Sequence, residues 1–535
     1  MRNALRLTLG VVGVGVLAGA AAKSDLRRLV KPDSLPAIAR LDERFQSYNI
    51  EMVEVTGGQF WKPYEQVQAA AQQQPPPQPT GAAAGGGGGQ ANVYAQAKTT
   101  LAPIDLSNPR LRKLAAALGP AYVRVSGGEA NAVYFHDSDQ PPPKEPPSGF
   151  LTVLTRNQWR GVIDFAKAVD ARIVTSFAIS EGVRDAQGRW KPDQARARIR
   201  FTKSVGGSIA AAELANEPNI GPTGAVNTPP GYDVQTFARD FQAFRQLARK
   251  EAPNMKLLGP GSTSEGVKIV PGEIFSSTSF FTANPRPVFD AFSYHAYGAS
   301  SMRCAGPERV NTTAAEALSG EWLARSDVFW AYYDALRNKY MPGKELWNTE
   351  TAQSSCDADP WAKTYLDTIR YLDQLAQHAR RGVHTVIYNT LAVSDYGLLD
   401  GTTFEPRPNY WAALLWRRLM GTTVLVPNIP IREGLHLYAH CLRGNDRGAV
   451  VLLAINNSHD RSTAIELQKP AQRHTLGAPR LDDERAQLNG RELRLRENGE
   501  LPAVEGQAVQ PGVIEFAPAT STFLVIADAQ NRSCR

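Results

Sequence analysis

An α/β chain, a (β/α)8 barrel of the TIM type with a C-terminal β-sandwich, is what the sequence predicts, on three observations. Between residues 46 and 421, eight strand-like runs appear, and all but one is followed by a recognisable amphipathic helix. After residue 421 the pattern changes to short apolar or alternating runs separated by turns. The chain has 535 residues, 42% of them hydrophobic, which is ample for two cores.

The elements follow in order. "YNIEMVEV" (48–55) reads as the first strand. "NPRLRKLAAALG" (108–119) reads as a helix with an Asn-Pro start and a Gly stop. "AYVRVSG" (121–127) is the second strand, "RNQWRGVIDFAKAVDA" (156–171) a helix, and "RIVTSFAIS" (172–180) the third strand. A helix near 194–205 precedes "SIAAAEL", the fourth strand. "VQTFARDFQAFRQLARKEA" (234–252) is a helix and "MKLLGPG" (255–261) the fifth strand; the segment after 261 is ambiguous. "FDAFSYHAYG" (289–298), "ELWNTET" (345–351) and "VHTVIYNTLA" (383–392) complete the eight strands. They alternate with helices at 326–340, 361–381 and 409–421. "VVLLAINNS", "STAIEL" and "STFLVIAD" then mark a sandwich of residues 422–535.

Three stretches stand outside this pattern. Residues 1–22, "MRNALRLTLGVVGVGVLAGAAA", have a basic start, an apolar run and small residues before the expected cleavage site. They read as a signal peptide, so an exported, periplasmic or secreted chain is expected, with no membrane span once the leader is removed. Residues 67–98, with "QQQPPPQPTGAAAGGGGGQ", are too polar and Gly-rich to bury a core and are expected to be flexible. Residues 137–148, "DSDQPPPKEPPS", read as an extended Pro-rich surface loop.

Composition narrows the function. A net charge of +7 is mild for this length, and two of those charges, Arg2 and Arg6, sit in the leader. No long Lys/Arg run exists, so nucleic acid is not an expected partner. A mild positive excess suits an acidic substrate. The eight His are scattered and the four Cys fit no zinc spacing, so neither a metal nor another cofactor is expected. Four Cys allow three pairings. Cys304 and Cys356 follow the sixth and seventh strands, whose loops are neighbours, and Cys441 and Cys534 both fall in the sandwich. The pairs 304–356 and 441–534 are therefore expected.

In a barrel of this kind, reacting groups sit at the C-terminal ends of strands. Glu217 ends the fourth strand region, "SIAAAELANEP", and Glu350 ends the seventh, "ELWNTET". Two such carboxyls facing each other across the barrel mouth suit glycoside hydrolysis, which needs one acid for the leaving oxygen and one carboxylate at the anomeric carbon. Asn216 can hydrogen-bond a sugar hydroxyl. His295 and Tyr297, in "SYHAYG", can orient a carboxylate. Glu213 shares strand parity with Glu217 and is read as structural; Glu51 and Glu54 receive no role.

These segments resemble the heparanase-like glycoside hydrolases, family 79 of the retaining glycosidases. The similarity rests on "NPRLRKLAAALGPAYVRVSGG" (108–128), "ELANEPN" (213–219), "YHAYG" (294–298), "WNTETAQSS" (347–355) and "DYGLLDGTTFEPRPNYWAALLWRRLMGTTVL" (395–425). The resemblance implies that Glu217 is the general acid/base and Glu350 the nucleophile. It implies that Asn216 contacts the hydroxyl beside the anomeric carbon and that Tyr297 hydrogen-bonds Glu350. Asn131 falls at a polar contact to the uronate, and Tyr396 at a tyrosine that binds the substrate carboxylate. The N-terminal segment 23–45 is expected to join the sandwich. Two departures are visible. "SSCDADPW" (354–361) stands where animal members have a Gly-rich loop, and the long excised linker of those members has only the short Pro-rich loop in its place. An active single chain, expected as a monomer, follows. The expected activity is that of a retaining β-glucuronidase, endo- or exo-acting, on a glucuronic-acid-containing polysaccharide such as heparan sulfate; a retaining β-glycosidase on a neutral sugar, or carbohydrate binding without catalysis, are the alternatives.

Overall fold

A computed structural model describes residues 28–64, 66, 98–221, 227–267, 269, 272–283, 289–304, 310–432, 434–445 and 447–535. The leader and all of the 67–98 segment except Lys98 lie outside the described residues.

Eight parallel strands close into a barrel. They are β1 (Gln46–Glu51), β2 (Ala121–Ser126), β3 (Ala171–Thr175), β4 (Ile209–Ala212), β5 (Lys256–Ser262), β6 (Ala291–His295), β7 (Leu346–Thr351) and β8 (Thr385–Tyr388). Neighbours follow chain order, and β8 returns to β1 through Val386↔Gln46 and Tyr388↔Tyr48. The first strand stops earlier than the run 48–55 suggests. Met52–Thr56 is a helical turn, because Glu51 and Glu54 form a reciprocal capping box. Alternating apolar residues hide that turn, since Met52, Val53 and Val55 are buried in either conformation.

Between the strands the helices begin where side chains satisfy their free N–H groups. Asn108 caps Pro109–Ala116, Thr155 caps Arg156–Ala168, Asp233 caps Val234–Glu251, Ser319 caps Gly320–Tyr340 and Thr364 caps Tyr365–Arg380. The ambiguous segment after β5 contains a short helix, Ser277–Ala283.

The barrel interior is layered. Tyr122, Val174, Ala211, Leu258, Ala291, Trp347 and Ile387, one from each of seven strands, pack as an apolar floor. One step further along the strands the interior turns polar, with Arg124, Glu213, His295 and Thr349 all buried. That reversal of polarity toward the strand ends marks where the chemistry must be sought, since buried charges persist only when paired.

The C-terminal part is two antiparallel-paired sheets. The larger contains Met420–Leu425, His436–Leu442, Val450–Asn456, Thr520–Ile526 and Ala471–Gly477 in that order, the smaller Thr463–Leu467 and Gly512–Phe516. The N-terminal chain joins both. Ala37–Arg40 pairs with Met420–Leu425, and Leu29–Val30 runs parallel to Thr463–Leu467. The sandwich docks on the helix Tyr365–Arg380: Tyr365 donates to the Leu476 carbonyl at 2.8 Å, and Tyr438 donates to Asp373 at 2.6 Å. Both expected disulfides form, Cys304–Cys356 and Cys441–Cys534. Among the described residues no helix is long and apolar enough to cross a membrane.

Candidate active site

Arg124, in the middle of β2, organises the barrel mouth. Its side chain is almost wholly buried. Nη2 donates to Glu213 Oε2 at 2.9 Å and to Asn216 Oδ1 at 2.8 Å, and Nη1 donates to Glu350 Oε2 at 2.6 Å. A planar fork reaches all three partners at once, which an ammonium does not. Glu213 also accepts from the Thr349 hydroxyl at 2.8 Å, and these partners hold its carboxyl well below the usual range despite its burial. Glu213 therefore balances Arg124 and has no access to the cleft.

Glu350 reaches the cleft because β7 is irregular. Tyr294 pairs with Asn348 but His295 pairs with Glu350, so one residue is skipped and two successive side chains, Thr349 and Glu350, both meet the central cluster. Tyr297 donates to Glu350 Oε1 at 2.5 Å. Burial pushes the Glu350 carboxyl up, but His295, Arg124 and the Tyr297 bond outweigh it and hold the group below the ordinary value. Glu350 is thus ionised at neutral pH. The Tyr297 phenol is driven far up by burial and by the Glu350 charge, so it stays a donor.

Glu217 lies five residues past β4, in the left-handed region at φ 46°. The segment that carries it is clamped. Asn131 accepts from Asn216 N at 2.8 Å and donates to Asn216 O at 2.8 Å. Asn219 likewise donates to Thr263 O and accepts from Thr263 N. His295 Nδ1 lies 3.0 Å from Glu217 Oε1 and 3.8 Å from Glu350 Oε2, while Nε2 lies 3.1 Å from Arg124 Nη2. Burial lowers the imidazole pKa, but Glu350, Glu213 and Glu217 overcome it and raise it to about 9. An Nε2 that accepted from Arg124 would leave the proton on Nδ1, and the imidazolium carries it there too. In either state Nδ1–H points to Glu217.

Glu217, His295 and Glu350 each place one donor atom within 4.8 Å of the others, a spacing that suits a metal ion. The Arg124 guanidinium, bonded to Glu350 and beside His295, puts a fixed positive charge against any cation there. The chemistry of this cluster is that of two carboxyls and a proton, not of a metal.

The residues singled out in the sequence are distributed unevenly. Asn216, Glu217, His295, Tyr297 and Glu350 converge as described. Asn216 gives its carboxamide oxygen to Arg124, which leaves its NH2 for a ligand. Asn131 is fully buried and brackets the Asn216 peptide with both ends of its carboxamide, which gives it a supporting role beside the expected uronate contact. Tyr396 sits beside the cluster, its oxygen accepting from Asn389 Nδ2 at 3.2 Å. The same nitrogen lies 2.8 Å from Glu51 Oε1 and 3.3 Å from the Tyr297 hydroxyl. Arg124, Asn389 and Glu51 were given no role from sequence. An arginine between two valines in a strand of otherwise uncharged residues was the one available signal, because an inward charge in such a strand needs buried partners.

Carboxyls crowd this side. Burial pushes Glu51 well above the ordinary value, with Glu350 and Glu129 adding to it; burial also raises Glu129. Asp357, two residues from the Ser355 backbone that bonds across to Ala299, is raised to about 7 by burial and by Asp395, although Arg303 opposes this.

No family model matches the chain. It is 26% identical over 495 residues to the heparanase of Bos taurus, covering 80% of this chain and 86% of that one. It is 24% identical to the hyaluronoglucuronidase of Hirudo nipponia, covering 81% and 92% of the two chains. The crystal structure of a 4-O-α-L-rhamnosyl-β-D-glucuronidase from Fusarium oxysporum shares the fold, with a TM-score of 0.60, 12% identity and coverage of 94% of this chain and 100% of that one. With the barrel, the sandwich and the paired carboxyls in place, these likenesses support a glycoside hydrolase that is similar to the heparanases in sequence and to the fungal glucuronidase in fold.

Proposed function

We propose that this chain is an exported retaining β-glucuronidase acting on glucuronic-acid-containing polysaccharide such as heparan sulfate. One observation carries the mechanism: an oxygen of Glu217 and an oxygen of Glu350 lie within 4.8 Å of each other. Retaining enzymes hold their carboxyls about 5–5.5 Å apart, whereas inverting ones leave about 6.5–9.5 Å for a water.

On this reading Glu217 gives its proton to the glycosidic oxygen as the Glu350 carboxylate attacks the anomeric carbon and the leaving sugar departs. A water that loses its proton to Glu217 then attacks the same carbon, and the Glu350 ester breaks. His295 Nδ1–H stabilises Glu217 when it is ionised. Tyr297 and Arg124 hold Glu350 in position for attack. The Asn216 NH2 is available to the hydroxyl beside the reacting carbon, and the Tyr396 phenolic proton, not used by the Asn389 bond, is available to the sugar carboxylate.

The uronate assignment draws on the names of the relatives and on Tyr396. "SSCDADPW" in place of a glycine run, whose Asp357 adds a negative charge on the Tyr396 side when it ionises, favours the second reading, a neutral sugar. The two disulfides support export, since such bonds persist in oxidising compartments. Hydrolysis of matched aryl β-glucuronide and aryl β-glucoside tests the assignment. Turnover of the glucuronide at tenfold or greater kcat/KM is expected; preference for the glucoside would move the enzyme to neutral sugars, and hydrolysis of neither would leave a binding protein.

A further inference from the structure

Away from the barrel mouth, an open cleft of about 430 Å³ lies where two barrel helices meet the sandwich. Asp327 enters it from the helix Gly320–Tyr340, Arg380 and Arg381 from the end of the helix Tyr365–Arg380, and Arg432 and His436 from the sandwich side. None of these residues hydrogen-bonds Glu217 or Glu350, so the cleft is separate from the reaction centre.

Its walls are rich in guanidinium groups and several of its side chains are held in place. Arg381 donates to Asp327 at 3.1 Å and lies 4.4 Å over the Trp330 ring. His436 Nδ1 is 2.6 Å from the buried Asp373, which also accepts from Tyr438; that carboxylate overcomes burial and raises the imidazole above its ordinary value. His436 Nε2 has no hydrogen-bond partner among the described residues. Arg380 lies 5.9 Å over the Tyr438 ring, and neither Arg380 nor Arg432 has a carboxylate partner among the described residues. Asp327 thus shares the cleft with three guanidinium groups and His436, and two of those forks, Arg380 and Arg432, have no carboxylate partner among the described residues. Isolated surface arginines are solvated singly; here they converge from two structural units on one concavity, with a buried acid fixing the histidine between them. A guanidinium fork matches a planar or tetrahedral oxyanion with two parallel N–H bonds.

We propose that this cleft binds an oxyanion, the sulfate or carboxylate of an acidic glycan or the same group as a free ion. Binding of the oxyanion itself does not rest on the activity assigned above, whereas an acidic glycan as its source does. A glycan chain held there would be anchored to the enzyme while another stretch is cut, which favours long substrates over short ones.

Calorimetric titration of inorganic sulfate and of a sulfated uronate octasaccharide into the wild-type chain and Arg380→Ala/Arg432→Ala tests this, beside aryl-glycoside kinetics on both. The expected result is a tenfold or greater loss of octasaccharide affinity, with aryl-glycoside kcat/KM within twofold. Loss confined to inorganic sulfate would assign the site to a free ion and still support it. Unchanged affinity for both probes overturns the proposal. So does a parallel fall in aryl-glycoside turnover, since the cleft would then act through the reaction centre. Arg380→Lys/Arg432→Lys keeps the charge without the fork and is expected to recover part of the lost affinity; if the alanine pair fails to fold, equal octasaccharide affinity in the lysine pair and wild type refutes the fork.

Discussion

Arg124 Nη1 donates to Glu350 Oε2 at 2.6 Å, and the same guanidinium bonds Glu213 and Asn216. One arginine therefore fixes the proposed nucleophile, neutralises a buried acid and aligns the residue before the proposed acid/base. Arg124→Met leaves Glu213 and Glu350 buried without their cation, a loss of about 3–5 kcal/mol. Arg124→Lys keeps the charge and is expected to fold, yet to lose kcat by about 100-fold or more with KM little changed, because an ammonium cannot span three partners. Urea unfolding of the first variant and steady-state kinetics of the second measure these effects.

His295 carries a pH prediction. Its folded pKa of about 9 exceeds the unfolded value near 6.5. The imidazolium therefore contributes stability in full below about pH 6.5, and that contribution fades as pH rises through about 9; its size is roughly 3 kcal/mol. Unfolding free energies at pH 6 and pH 10 are expected to differ by more in the wild type than in His295→Gln. Equal differences would place the charge elsewhere.

Asp357 runs the other way. A carboxyl raised to about 7 binds its proton more tightly in the folded chain than unfolded, so its effect is to lower stability as pH rises from about 4 to 7. The same ionisation adds a negative charge on the Tyr396 side, where Asp357 is the strongest charge acting on that phenol. KM for an aryl glucuronide is expected to rise several-fold through pH 7 while that of the aryl glucoside stays flat. Asp357→Asn should flatten the glucuronide curve.

Tyr396→Phe removes the phenolic proton proposed to meet the sugar carboxylate. A charge-assisted bond of this kind contributes about 1.5–3 kcal/mol, so glucuronide kcat/KM is expected to fall about tenfold or more and glucoside turnover to hold. Equal losses on the two substrates would make Tyr396 a packing residue beside Asn389.

Much of this was legible in the sequence, and the omissions share a cause. The eight strands showed because a parallel strand buried on both faces reads as an apolar run. The sandwich showed through its turns and alternation, the Cys304–Cys356 disulfide through the adjacency of strand-end loops, and Cys441–Cys534 through the sandwich that holds both residues. Glu217 and Glu350 stood out by position. What stayed hidden depends on contacts far apart in sequence. Arg124 gains meaning only beside Glu213 and Glu350, 89 and 226 residues away. The supporting role of Asn131 stayed hidden because its partner is the backbone of Asn216, which no side-chain pattern reveals. Glu51 and Glu54 extended an apparent strand, because a capping box and a strand can share the same apolar alternation.

The central claim, double displacement through Glu350 with Glu217 as acid/base, is tested most directly by the configuration of the first product. Proton NMR of an aryl β-glucuronide during the earliest turnovers should show the β-anomer of glucuronic acid, with the α-anomer growing in only by later mutarotation. An α-anomer formed first would contradict the account, because it requires a water in the place assigned to Glu350.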